Sequence, residues 1–150
     1  MSVFVDESDV FPVTLYCKEF RDENGALIYT DVSNEFIDGW EELKAYFCQP
    51  SVAIFSGILE EATVLNSLNQ KPVIRTRTLR DLTLLHLMKS WSAIDNNGLP
   101  VPINEQTIGC LDFKIANELF LQYIYNVKLD IYLQAIIKDE SESDNILRRI

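Results

Sequence analysis

From position 11 to 32 the chain reads FPVTLYCKEFRDENGALIYTDV, and from 38 to 47 it reads DGWEELKAYF. How these two stretches are read decides the fold. Residues 11–20 are rich in aromatic and β-branched side chains, and Pro12 confines the strand to a beginning or an edge because proline donates nothing to a ladder. Asp22-Glu23-Asn24-Gly25 carries turn chemistry, with Asn-Gly able to take positive φ angles. ALIYTDV, residues 26–32, is the returning strand, so residues 11–32 are expected to form a β-hairpin.

A hairpin alone is marginal and needs a layer laid on it. Residues 38–47 are read as the start of that layer. Asp38 and Glu41 have the spacing of a capping box, with Asp in place of Ser or Thr, and Trp40, Leu43 and Phe47 recur at helical spacing with Tyr46 beside them. Pro50 ends this helix. A second helix is expected over residues 51–67, with Val52, Phe55, Leu59 and Ala62 along one face and Gly57 weakening it. Thr78 is expected to cap a third, running to about Ser90, whose leucines cover more than one face, as in a helix buried on both sides or sitting at an interface. Asn97-Gly98 makes a turn, Pro100 and Pro102 hold the following chain extended, and Asn104 is placed to cap another helix with Glu105 near its positive end. The last helix has the clearest pattern: Ile108, Leu111, Ile115, Leu119, Tyr123 and Val127 step by three and four. The pattern continues through Ile131, Tyr132 and Ala135 past a break near Asp130.

The fold class expected is therefore α+β, mostly α: an N-terminal β-hairpin followed by four or five helices in a single domain over residues 1–150. Residues 1–10 read as a flexible arm, 11–32 as the hairpin, 38–137 as the helical part, and 138–150 as a polar tail with an apolar-basic tip. No internal repeat or low-complexity segment interrupts the chain.

Composition narrows the function. With 150 residues, 47% of them hydrophobic and 24% charged, the chain has enough apolar material for its own core. The net charge of −10 argues against nucleic-acid binding, whose affinity comes from clustered Lys and Arg. The acids are spread along the chain rather than spaced regularly, which disfavours mimicry of DNA. The most apolar stretch, residues 52–59, is far too short to span a bilayer. The acidic amino terminus does not read as a secretory signal, so the cytoplasm is the expected compartment. Cys17, Cys48 and Cys110 lack the spacing of a disulfide framework or a zinc site and read as free thiols.

Catalytic chemistry is not expected. His86, the single histidine, lies inside a leucine-rich helix and reads as a core or interface residue. The five glycines are isolated, without the clustering that surrounds phosphate with backbone amides. Asp22-Glu23-Asn24 and Asp95-Asn96-Asn97 carry oxygen ligands but lack the spacing of a calcium loop, and turn chemistry explains both. No cofactor and no metal are expected. The expected activity is binding to another protein through apolar helix faces, with Leu85, Leu87, Met88, Trp91, Tyr123 and Tyr132 as candidates; for each of them, a place in the core is the competing reading. Lys71, Arg75, Arg77 and Arg80 put four positive charges into ten residues of an acidic chain. They read either as solvated charge around a helix start or as a basic patch for an acidic partner or another copy's acidic face.

The hairpin opening with FPV, the arginine-leucine helix and the string Trp91-x-x-x-Asp95-x-x-Gly98-x-Pro100-Val-Pro102 together resemble tail assembly chaperones of long-tailed bacteriophages. In that family a similar string precedes a helix begun by a polar cap, here Asn104-Glu105-Gln106. The resemblance covers about two thirds of the chain, and residues 91–104 are its most specific part. It implies a non-enzymatic phage assembly protein in the cytoplasm of the infected host that coats the long helical tape measure protein while the tail is built. Such chaperones are usually absent from the finished particle and are often made in two lengths by ribosomal frameshifting. The long hairpin and the acidic ends match that family less well. They leave open a structural virion component (connector, capsid or baseplate protein, with homo-oligomers) or an acidic inhibitor of a host enzyme.

Overall fold

The computed structural model describes residues 2–137, so the polar tail expected over residues 138–150 lies outside the described residues. The expected hairpin is present. Strand β1 (Val10–Arg21) pairs antiparallel with β2 (Leu27–Ser33) across a turn in which Gly25 holds φ +83°, a conformation that costs a glycine little. The Asp22 carboxylate accepts the N–H groups of Asn24 and Ala26, fixing the turn from its first residue.

The layer after the hairpin differs from the sequence reading. Residues 41–48 are not a helix but a strand, β3 (Glu41–Cys48), paired with β1 in the register Val13↔Ala45, Leu15↔Leu43 and Cys17↔Glu41. Leu43, Ala45 and Phe47 step by two and face inward, while Trp40, Leu43 and Phe47 also satisfy a helical period; the short run fits both. Two constraints decide for the strand. Gly39 at φ +84° makes the turn that the capping-box reading gave to a helix start, and an unsatisfied edge of β1 accepts eight paired positions. Pro12 is tolerated in β1 because β2 pairs only with positions 16–21, leaving β1 an edge on that side at Pro12.

A fourth strand, β6 (Met88–Trp91), pairs with β3 and completes an antiparallel sheet in the order β2-β1-β3-β6. With about 36% helix and 29% strand, the protein is α+β but not mostly α, and its N-terminal part is a sheet rather than a lone hairpin. The helices also depart from their expected limits. Helix α1 (Val52–Ala62), capped by the Ser51 side chain, stops where the β-branched pair Thr63 and Val64 begins β4 (Thr63–Leu65). That strand pairs with β5 (Pro72–Ile74) in a separate two-stranded ribbon. Helix α2 (Thr76–Leu87) starts two residues before Thr78 and ends where Met88 turns into β6.

The long terminal helix is divided into α3 (Glu105–Gly109), α4 (Phe113–Asn126) and α5 (Asp130–Ile137). Asn104 caps α3 as expected, in a reciprocal box with Thr107. Asp112 breaks the pattern that apolar spacing carried through: its carboxylate accepts the N–H groups of Lys114 and Ile115 and begins a new helix. The break near Asp130 is present, with Lys128 at φ 61°.

Helix α4 packs against β1 and β2 on the inner face of the sheet, and α2 packs against α1, α3 and α4. The Tyr123 ring of α4, fully buried, lies 4.7 Å from the Phe47 ring and 6.0 Å from Phe11, centroid to centroid. Its hydroxyl donates to the Cys48 carbonyl at 3.0 Å. Burial pushes this phenol above its ordinary range, so it remains a donor at every ordinary pH.

Tyr123→Phe keeps the ring contacts and leaves the Cys48 carbonyl without that donor, so urea unfolding should show a loss of about 1–3 kcal/mol. Tyr123→Ala, which also opens a cavity beneath Phe47, should cost about 3–5 kcal/mol. Equal losses in the two variants would show that the hydrogen bond, not ring packing, ties α4 to β3, and no loss in Tyr123→Phe would show the reverse.

Candidate functional site

The inner face of β1 is covered by helices at Val13 and Leu15, half-covered at Cys17, and open at Glu19 and Arg21. The sheet therefore runs out beyond the helical layer. An open groove of about 1010 Å³ lies under this overhang. One side is the inner face of the sheet, with Cys17 and Leu43. The others are the segment Ser92, Ala93 and Ile94 and the corner between α3 and α4, with Leu111, Asp112 and Ile115.

The wall at residues 92–94 belongs to the string around Trp91, and hydrogen bonds hold it in place. Ser92 is bonded to β3 twice: its N–H donates to the Lys44 carbonyl at 2.8 Å, and its hydroxyl accepts the Lys44 N–H at 2.9 Å. Trp91 Nε1 donates to the Val101 carbonyl at 2.6 Å, and the Val101 N–H donates to Ala93. The Asp95 carboxylate accepts from Asn97 and Leu99, closing the turn, while Ile94 bridges to Pro100. Trp91 is thus a half-buried strand residue that closes this loop on itself, not the last residue of a helix.

Charge around the groove is uneven. Glu19 is paired with Arg21, and Glu42 with Lys44 at 3.7 Å. Glu41 and Asp112 have no ion pair among the described residues, although Asp112 also serves as the α4 cap. Partial burial, followed by the negative charges of Asp112 and Glu41, pushes the Cys17 thiol up to about 11. At neutral pH this thiol is protonated and poorly suited to nucleophilic attack. Cys110, on the groove's other side, is exposed. The arrangement is an apolar floor with a rim on which Glu19, Glu41, Glu42 and Asp112 outnumber Lys18 and Arg21, suited to accepting apolar side chains next to cationic ones.

The residues singled out from sequence are divided among several places. Leu87, Met88 and Tyr123 are core residues, at most 3% exposed, so none of them presents a surface to a partner. Leu85 lies in a smaller hollow of about 270 Å³ between α2 and α3, with Leu82, Ile108, Asp81 and Glu105. Tyr132 is exposed on α5 and lines neither hollow. Lys71, Arg75 and Arg77 are exposed, but Arg80 is buried and is not part of a patch. Its guanidinium donates to Asn117 Oδ1 at 2.7 Å and to Asp81 at 2.9 Å, and lies over the Phe113 ring. His86 is exposed in the last turn of α2, not in the core.

Sequence reasoning missed Cys17, Glu41, Leu43, Ile94, Leu111, Asp112 and Ile115 as groove residues. The period-two spacing of Leu43, Ala45 and Phe47 was the signal that would have placed Leu43 and Glu41 on one sheet face. Among the described residues, no cluster of three or more His, Cys, Asp or Glu is placed to hold a metal, and no helix is long and apolar enough to cross a membrane. Comparisons with family models, curated proteins and solved structures find no match to this chain.

The raised Cys17 thiol has a sign that can be measured. Its protonated form is favoured by folding, so stability holds below its ordinary value of 9.0 and declines as pH rises towards about 11. Cys48 and Tyr123, both raised mainly by burial, act in the same direction. Unfolding measured between pH 8 and 11 should therefore show a shallower decline in Cys17→Ser than in the unaltered protein. Identical slopes would place the Cys17 thiol in an environment no different from that of the unfolded chain.

Proposed function

We propose that this chain is a non-enzymatic assembly protein that holds a segment of another protein in the groove beneath the sheet overhang. In the reading carried by residues 91–104, it acts as a phage tail assembly chaperone. The observation behind this proposal is the groove itself. One wall is the Trp91 string, the part of the chain that resembles those chaperones, and its floor is apolar with Glu41 and Asp112 at the rim.

The mechanism is physical. Leu43, Ile94, Leu111 and Ile115 offer apolar surface to an amphipathic segment, and burying that segment's apolar stripe keeps it from self-association until the tail polymerises around it. The partner in this reading is the tape measure protein, met in the cytoplasm of the infected host. Binding through a shallow open groove is weak enough to be displaced by the growing tail tube.

A structural virion component is the second reading, favoured by the outer face of the sheet. Among the described residues no helix packs on that face, and an aromatic row crosses it: Phe20 stacks on Tyr29 at 4.7 Å, Trp40 meets Phe20 edge-on, and Tyr16 meets Phe36, which is 71% exposed. A permanent place in a particle, or a homo-oligomer, would cover such a surface.

Ile94 is 65% exposed on the groove wall, so Ile94→Glu should change stability by no more than about 0.5 kcal/mol. Affinity purification of the tagged protein from infected cells should recover the tape measure protein, and recovery should fall sharply with Ile94→Glu. Mass spectrometry of mature particles should lack the chain. Unchanged recovery would remove the groove from the proposal, and a fixed copy number in particles would replace the chaperone with the structural component.

A further inference from the structure

Two surfaces away from the groove carry exposed apolar side chains beside charges of opposite sign. The first is the arm ahead of β1. The Ser2 hydroxyl accepts the Phe4 N–H and donates to the Phe4 carbonyl, and the Asp6 carboxylate accepts both the N–H and the hydroxyl of Ser8. Glu7 pairs with Lys89 at 3.0 Å and ties the arm to the body. These contacts order the arm, yet they leave Val3 78% and Phe4 85% exposed. Asp6 and Asp9, on the same arm, have no ion pair among the described residues.

The second surface is the β4-β5 ribbon with the start of α2. Leu65 is 63% exposed there and Leu68 92%, and Lys71, Arg75 and Arg77 are exposed as well. Leu65 lies opposite Pro72, and the Asn66 N–H donates to the Lys71 carbonyl, which sets the leucines next to the cations. Elsewhere cations are engaged: Arg21, Lys44, Arg80 and Lys89 in ion pairs, Lys18 and Lys114 over aromatic rings. Lys71, Arg75 and Arg77 have neither kind of contact among the described residues. The flanking acids are Glu60 and Glu61 of α1 and Asp81, and Asp81 is already held by Arg80. Positive charge is in the majority here.

We propose that the arm of one copy docks on the ribbon of a second copy, with Phe4 against Leu65 and Leu68 and with Asp6 and Asp9 at Lys71, Arg75 and Arg77. Charge selects the occupant. A chain of net charge −10 repels itself over most of its surface, and the ribbon is where it offers unpaired positive charge to an acidic arm. Phe4 and Leu68 are too exposed to touch within one molecule, so a single copy leaves both surfaces open. Arm and ribbon are different surfaces, so the contact runs head to tail and can repeat from copy to copy. One aromatic anchor and a few charges fall short of the roughly 1,200 Å² of a standard interface, which places the Kd at about 10–100 µM. None of these residues lines the groove, so the inference goes beyond the groove reading and does not depend on it.

Sedimentation velocity of the full chain between about 10 and about 500 µM tests the contact, because mass action drives a weak self-association over that range. The weight-average mass should rise past twice that of the monomer. Asp6→Lys/Asp9→Lys and Arg75→Glu/Arg77→Glu each put like charges on arm and ribbon, and each should stay monomeric alone. An equimolar mixture of the two should associate, since every arm then meets a ribbon of opposite sign. All four positions are exposed, and circular dichroism should show an unaltered fold. Phe4→Ser keeps every charge and should weaken association at least about tenfold, the effect of losing the burial of one phenylalanine.

A monomer at every concentration would overturn the proposal, and so would a mixture of the reversed variants that fails to associate. Association of either reversed variant alone, at the strength of the unaltered protein, would overturn it too. A mass that levels off at twice the monomer would overturn the repeating contact in favour of a closed pair. Tape measure recovery with Ile94→Glu is read on other residues, so the failure of either proposal leaves the other standing.

Discussion

The contact between Phe47 of β3 and Tyr123 of α4 joins the two layers, and the rest of the structure depends on it. Both rings are fully buried, and the Tyr123 hydroxyl ends on the carbonyl of Cys48, the last residue of β3. The hydrogen bond fixes the height of α4 under the sheet, and the stack with Phe11 extends the same cluster to β1. Because α4 starts at Asp112, fixing Tyr123 also fixes where the helical layer stops. The groove is what remains where the sheet continues and the helices do not.

That origin explains the groove's character. A sheet overhang exposes alternate inward positions, and here these pass from Leu15 through Cys17 to Glu19, from apolar to charged. Leu43 and Ile115 are half-buried because the core ends at them. The acidic rim is in part a by-product of the fold. Asp112 is needed to cap α4, so its negative charge stays at the groove whatever binds there. Glu41 has no such duty, which makes it the rim position where charge can be changed with the least effect on folding.

Local chemistry was legible in the sequence wherever it is self-contained. The hairpin at residues 11–32, the Asn104 cap and the break near Asp130 each follow from turn or capping residues acting within four positions. What was not legible depended on partners distant in sequence. Residues 41–48 satisfy a helical and a strand period at once, and only the free edge of β1, some thirty residues earlier, decides between them. Met88 and Trp91 become strand residues for the same reason, because β3 offers them an edge. The misreading of β3 carried over to the site: with Glu41 assigned to a helix cap and Leu43 to a helix face, the groove had no roof. The Trp91 string, singled out in the sequence, forms one wall of the groove, but its tryptophan shapes that wall from behind, and Ile94 is the residue it presents.

Whether the groove receives the proposed partner is tested most directly by hydrogen–deuterium exchange of this chain, alone and with the tape measure protein added. Protection on binding should concentrate at residues 41–43, 92–94 and 110–115, with the outer-face segments at residues 27–29 and 34–37 unchanged. Protection confined to the outer face, with the groove segments exchanging as in the free protein, would contradict the account.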